Sequence, residues 1–95
     1  FNQQVISSSQ PVFVVFVVDW CTSCRTLLPI LEEFSSEAEG QVLVFSIDVG
    51  KYQDIAARFD IKSLPTLVLF REGEEIDRFS GLRSKDLLHE MLNLE

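Results

Sequence analysis

Cysteine is scarce in this chain of 95 residues, which has only Cys21 and Cys24, with two positions between them. So close and isolated a pair excludes a disulfide-stapled scaffold and leaves redox chemistry or half of a metal site. Histidine is scarcer still. With His89 alone, a four-ligand zinc centre within the chain lacks its remaining ligands, and His89 reads as a surface or helix-end residue. Long hydrophobic runs are absent: the longest, Val12 to Val18, spans seven residues, against the ~20 that a bilayer-crossing helix needs, so no membrane segment is expected. Basic residues are few and unclustered, 8 Lys and Arg against 15 Asp and Glu, for a net charge of −7. That field repels phosphate backbones, so nucleic acid is not an expected partner, while the acidity itself reads as a solvated surface and defines no substrate. Repeats, linkers and low-complexity segments are lacking too.

What is present suffices for a core. Apolar residues make up 46% of the chain, with 8 Phe, and charged residues 24%, the composition of one folded domain extending over residues 1–95. Phe1, Val5 and Ile6 predict a short helix, stopped by Ser7-Ser8-Ser9-Gln10-Pro11. Val12 to Val18 is apolar on both faces and rich in β-branched and aromatic residues, which predicts a central strand covered on each side. From Thr22 to about Glu39, Leu27, Leu28, Ile30, Leu31 and Phe34 recur at helical spacing; Pro29 should bend that helix and Gly40 end it. Gln41 to Asp48 predicts a strand parallel to the first. Tyr52, Ile55, Ala56 and Phe59 predict another helix. Thr66 to Phe70 and Glu75 to Ser80 predict a hairpin turning at Arg71-Glu72-Gly73-Glu74, and Leu87, Leu88, Met91 and Leu92 a last helix with Ser84 as its N-cap.

The cysteines lie where strand gives way to helix. Unpaired backbone N–H groups and the positive helix end favour a thiolate at Cys21, and the thiolate is the attacking species. Cys24, about one helical turn further on, can reach Cys21 while lying deeper. Cys21 is therefore the candidate nucleophile and Cys24 the resolving thiol, with the flat apolar Trp20 as a wall beside them.

With these residues in place, the chain resembles the thioredoxin family over nearly its whole length, from Pro11-Val12-Phe13 through Trp20-Cys21-Thr22-Ser23-Cys24, Pro29, Asp48, Ser63-Leu64-Pro65-Thr66, Gly73 and Gly81. The resemblance implies a three-layer α/β sandwich, a mixed sheet of at least four strands flanked by about four helices. It implies a protein dithiol-disulfide oxidoreductase with no cofactor beyond the Cys21-Cys24 disulfide. Its partners are proteins bearing disulfides or thiols and a reductase or other electron donor. It further implies a cis peptide bond at Pro65, strand-like pairing of substrate with the Leu64 backbone, and a groove kept open by Gly81, although Gly81 also reads as a plain loop glycine.

The departures bear on mechanism. Thr22-Ser23 replaces the family's Gly-Pro between the cysteines, and Val17 its more usual tryptophan. The aspartate that assists the second cysteine falls at Val15 and its lysine neighbour at Ser46, so both charges are missing together and Cys24 has no evident base. Slower resolution of the mixed disulfide is expected. The family's first strand is not visible ahead of Phe1, so more chain is expected upstream and Val42 to Phe45 would otherwise form a bare apolar edge. The cytoplasm is the expected compartment, with a parent chain carrying an export signal as the alternative. Two other functions compete with the enzyme: a protein-binding or chaperone module that uses the Leu64-Pro65 groove with weak redox turnover, and metal transfer or a metal-bridged dimer.

Overall fold

The computed structural model describes residues 10–94, with side chains through Leu92. Strand β1 (Val12–Val17) leads into helix α1 (Thr22–Glu37), and the chain continues through β2 (Leu43–Asp48), α2 (Gln53–Arg58), β3 (Thr66–Arg71), β4 (Glu74–Ser80) and α3 (Lys85–Leu94). The helix expected over Phe1 to Ser7 lies outside the described residues, so three of the four expected helices are on view.

The four strands form one mixed sheet in the order β2-β1-β3-β4. β1 runs parallel to β2, as a strand–helix–strand unit requires, and antiparallel to β3. Its apolarity on both faces has a direct cause. Phe13 and Val15 point into a layer with Leu27, Leu31, Phe34, Leu88 and Met91, whereas Val12, Val14 and Phe16 point into the opposite layer with Ile47, Val68 and Phe70. Both layers lose water on folding, so polar alternation along β1 would leave unpaired groups in one of them. In the first layer Phe34 meets Phe13 edge-to-face at 5.4 Å, and in the second Phe59 meets Phe70 at 5.6 Å.

α1 is 16 residues long and continues through Pro29, which removes the donor the Arg25 carbonyl would otherwise receive. It ends at Glu37, two residues short of the expected Glu39, where Ala38 leaves helical geometry, its N–H donating to the Phe34 carbonyl and that of Glu39 to the Ser36 carbonyl. The hairpin turns more tightly than expected. Glu74 already belongs to β4, because Glu72 and Gly73, with φ of 54° and 82°, supply the left-handed pair that matches strand twist in a two-residue turn. Ser84 Oγ accepts from the Leu87 N–H at 3.2 Å, capping α3 as expected.

His89 is more than a plain surface residue. Its Nε2 lies 2.9 Å from Glu37 Oε1, Lys85 Nζ lies 2.6 Å from Glu37 Oε2, and the imidazole sits edge-on to Phe34 at 4.8 Å. One carboxylate at the end of α1 thus holds two side chains of α3. The two partners lower the Glu37 pKa, Lys85 more than His89.

Candidate redox site

Three chain ends converge at one edge of the sheet. Register pairs Val17 at the end of β1 with Asp48 at the end of β2, and Phe16 with Thr66 at the start of β3. The segment leaving β1 therefore emerges between the loop after β2 and the loop before β3. That segment is the turn Val18-Asp19-Trp20, and Cys21 stands at its end.

The turn is fixed by its own hydrogen bonds. The Cys21 N–H donates to the Val18 carbonyl at 3.4 Å, and Arg25 Nε donates to the Asp19 carbonyl at 3.0 Å. Cys21 is the N-cap of α1, with φ −89° and ψ 115°, so its backbone is still extended while its side chain faces the first helical turn. Its sulfur accepts from the Cys24 N–H at 3.2 Å. Sulfur occupies the position that serine or aspartate oxygen usually takes, and the bond strengthens when the sulfur is charged.

The two thiols are unequal, and both are free. A hydrogen bond from the Cys24 side chain is the largest cause lowering the Cys21 pKa below its ordinary 9.0; the Cys24 and Ser23 backbone N–H groups add to it, against an opposing effect of burial. Cys24 is 1% exposed. Burial pushes its thiol up to about 11, helped by the hydrogen bond to Cys21 and by repulsion from its charge, with a backbone hydrogen bond at Val18 opposing. None of the groups acting on Cys24 is a carboxylate or an ammonium. Val15 is fully buried beneath α1, and its register partner Ser46 lies exposed on β2. Ser46 lines a cavity of about 540 Å³ between α1 and β2, together with Val44, Arg25, Leu28, Pro29 and Glu32.

On the other flank, the Leu64-Pro65 peptide bond is cis, Pro65 is buried and Leu64 is half-buried. Thr66 Oγ1 donates to the Ser63 carbonyl at 2.6 Å, and the Gly81 N–H donates to the Pro65 carbonyl at 2.7 Å. Gly81 has φ +90°, and a methyl group there would meet only Arg83 Nη1, at 3.6 Å. Its positive φ gives this position a conformational reason for glycine. Trp20 is 77% exposed.

Sequence reasoning missed two contributors to the site. Arg25 immobilises the turn before Cys21, and a helical arginine gives no sequence signal for a bond to a carbonyl six residues back. Gly50 receives the edge of Trp20, and its only signal in the sequence is the Asp48-Val49-Gly50 turn pattern. Among the described residues no three His, Cys, Asp or Glu side chains converge as a metal site, and no helix is long and apolar enough to cross a membrane.

A buried strand that delivers an N-capping cysteine, a second cysteine one turn deeper and a cis-proline loop alongside define a thiol-disulfide oxidoreductase site. Comparison with known proteins agrees. The family model described as Thioredoxin matches residues 1–94. A thioredoxin of Rickettsia bellii is 39% identical over 93 residues, covering 98% of this chain and 89% of its own. A bifunctional thioredoxin reductase/thioredoxin of Mycobacterium leprae is 38% identical over 88 residues, covering 93% of this chain and 19% of its own. Among solved structures, a chloroplastic thioredoxin z superposes with a TM-score of 0.91 at 26% identity, covering 98% of this chain and 84% of that one. The chain belongs to the thioredoxin family, and it is a protein thiol-disulfide oxidoreductase of that family.

Proposed function

We infer that Cys21 attacks protein disulfides and that Cys24 completes the exchange slowly. The observation carrying this reading is the Cys21 sulfur facing Cys24 at the start of α1: it accepts from the Cys24 N–H at 3.2 Å, and the interaction between the two side chains favours the Cys21 thiolate at the expense of that of Cys24. In the first step the Cys21 thiolate attacks one sulfur of the target disulfide. A Cys21-target bond forms, the target S–S bond breaks, and the leaving sulfur takes up a proton. In the second step Cys24 loses its proton and attacks the Cys21 sulfur, so that the Cys21-Cys24 disulfide forms as the second target thiol departs and is protonated. Two electrons pass from the cysteine pair to the target.

Trp20 is read as one wall of the substrate groove, with the Leu64 backbone as the edge along which an extended polypeptide pairs and the Pro65-Gly81 hydrogen bond as its support. Reduction of the resulting disulfide is assigned to a reductase. The Mycobacterium leprae relative, which is named for both activities in one chain, supports that partner. No cofactor beyond the cysteine pair is called for, the net charge of −7 disfavours nucleic acid, and the cytoplasm is the proposed compartment.

The raised pKa of Cys24, about 11, also favours a second reading, a peptide-binding module whose covalent turnover stalls at the mixed disulfide. Turbidity of insulin under a dithiol reductant separates the two. The wild type is expected to accelerate precipitation, Cys21→Ser to abolish the effect, and Cys24→Ser to trap a covalent complex. A wild type no faster than reductant alone, or an unimpaired Cys21→Ser, would remove the enzymatic reading of this pair.

A further inference from the structure

Trp20 is the one tryptophan of the chain, and so large an exposed apolar side chain needs something to hold it if it is to shape a groove. Gly50 lies against the edge of its ring. A Cβ built on Gly50 would lie 3.8 Å from Trp20 Cη2 and 3.9 Å from Cζ3, and 3.0 Å from Asp48 Oδ1. Unlike Gly40, Gly73 and Gly81, Gly50 does not have positive φ, so its backbone conformation would accept other residues. What it provides is space.

The surrounding loop is rigid. The Gly50 N–H donates to Asp48 Oδ1 at 2.8 Å, the Asp48 carbonyl accepts from the Lys51 and Tyr52 N–H groups at 3.1 Å each, and the Val49 N–H donates to the Val17 carbonyl at 2.9 Å. That last bond ties the loop to the strand that delivers the cysteines. On the opposite side, Arg25 fixes the Asp19-Trp20 turn through the Asp19 carbonyl. The indole thus has a clamped turn behind it and, at the Cη2–Cζ3 edge of its six-membered ring, a backbone neighbour without a side chain.

We propose that Gly50, kept in place by Asp48, is a positioning residue that seats Trp20 and thereby sets which polypeptides fit beside Cys21. This rests on the reading of Trp20 as a groove wall. A Cβ at position 50 crowds the Asp48 carboxylate at 3.0 Å and meets the ring edge at ordinary contact distance, so a branched side chain reaching further moves the wall without touching either sulfur.

The test is Gly50→Val in wild-type and Trp20→Ala backgrounds, with Gly50→Ala as the smaller change should the valine variant not fold. Acrylamide quenching and anisotropy of Trp20 emission report the seat directly. Faster quenching and lower anisotropy are expected, with the alanine variant intermediate. KM for a disulfide-bearing protein substrate should rise about fivefold with kcat unchanged, and that increase should vanish in the Trp20→Ala background. Unchanged quenching in a folded Gly50→Val protein, or the same KM increase without Trp20, overturns the proposal. If Trp20→Ala alone leaves KM unchanged, the wall reading falls and with it the role in selection, and the fluorescence then judges the seat by itself.

Discussion

The backbone N–H of Cys24 points at the sulfur of Cys21 across 3.2 Å, and the Cys24 thiol is the largest single cause lowering the Cys21 pKa. One residue therefore activates its partner while its own proton becomes harder to remove. Rapid alkylation of reduced protein, measured against pH, should show Cys21 half-reacted below its ordinary 9.0. Cys24→Ala deletes the side-chain donor and leaves the backbone one, so the midpoint should move up. An unmoved midpoint would mean that the backbone alone sets the acidity.

Val15 and Ser46 face each other in register, one fully buried and the other exposed. Val15→Asp alone buries a carboxylate without a partner and should cost about 3–5 kcal/mol in urea unfolding. Adding Ser46→Lys should recover part of that loss, and in the double variant the carboxylate introduced at position 15 supplies a base for Cys24 that should speed decay of the Cys21-target mixed disulfide by about a hundredfold. Equal decay rates in the double variant and the wild type would mean that deprotonation of Cys24 does not limit the second step.

Phe34 joins three elements, packing edge-on to Phe13 of β1 and to His89 of α3 from within α1. Phe34→Ala removes a fully buried ring and should destabilise the fold by about 3–5 kcal/mol in equilibrium unfolding. Glu37 shares that junction, and the sign of its pH dependence comes from its lowered pKa. Its stabilising effect is complete above the unfolded-state pKa and is lost as pH falls through the folded one. Glu37→Gln should therefore lower Tm at neutral pH and have no effect on Tm in strong acid.

At φ +90°, Gly81 donates to the Pro65 carbonyl, and Gly81→Ala forces a side chain into that conformation. A loss of about 1–2 kcal/mol is expected in thermal or urea unfolding. If stability is unchanged, the loop relaxes without cost and the glycine has some other reason to be there.

Much of the fold and the site was legible in the residues. β1 can be read from its run of valine and phenylalanine because both of its faces are covered, and Cys21 from its place after that run. The hairpin turn reads one residue too wide at each end because a glutamate at left-handed φ, Glu72, leaves no mark in composition. Glu37, Lys85 and His89 give no joint signal because they lie far apart in sequence and meet only when α1 and α3 pack. The seat of Trp20 on Gly50 is likewise a tertiary contact, made when the loop after β2 returns beside the loop after β1.

The inequality of the two thiols is tested most directly by NMR titration of the assigned 13Cβ resonances of Cys21 and Cys24 in the reduced protein. The predicted result is a Cys21 inflection below 9.0 and a Cys24 inflection at about 11. A Cys24 inflection at or below that of Cys21 would contradict it.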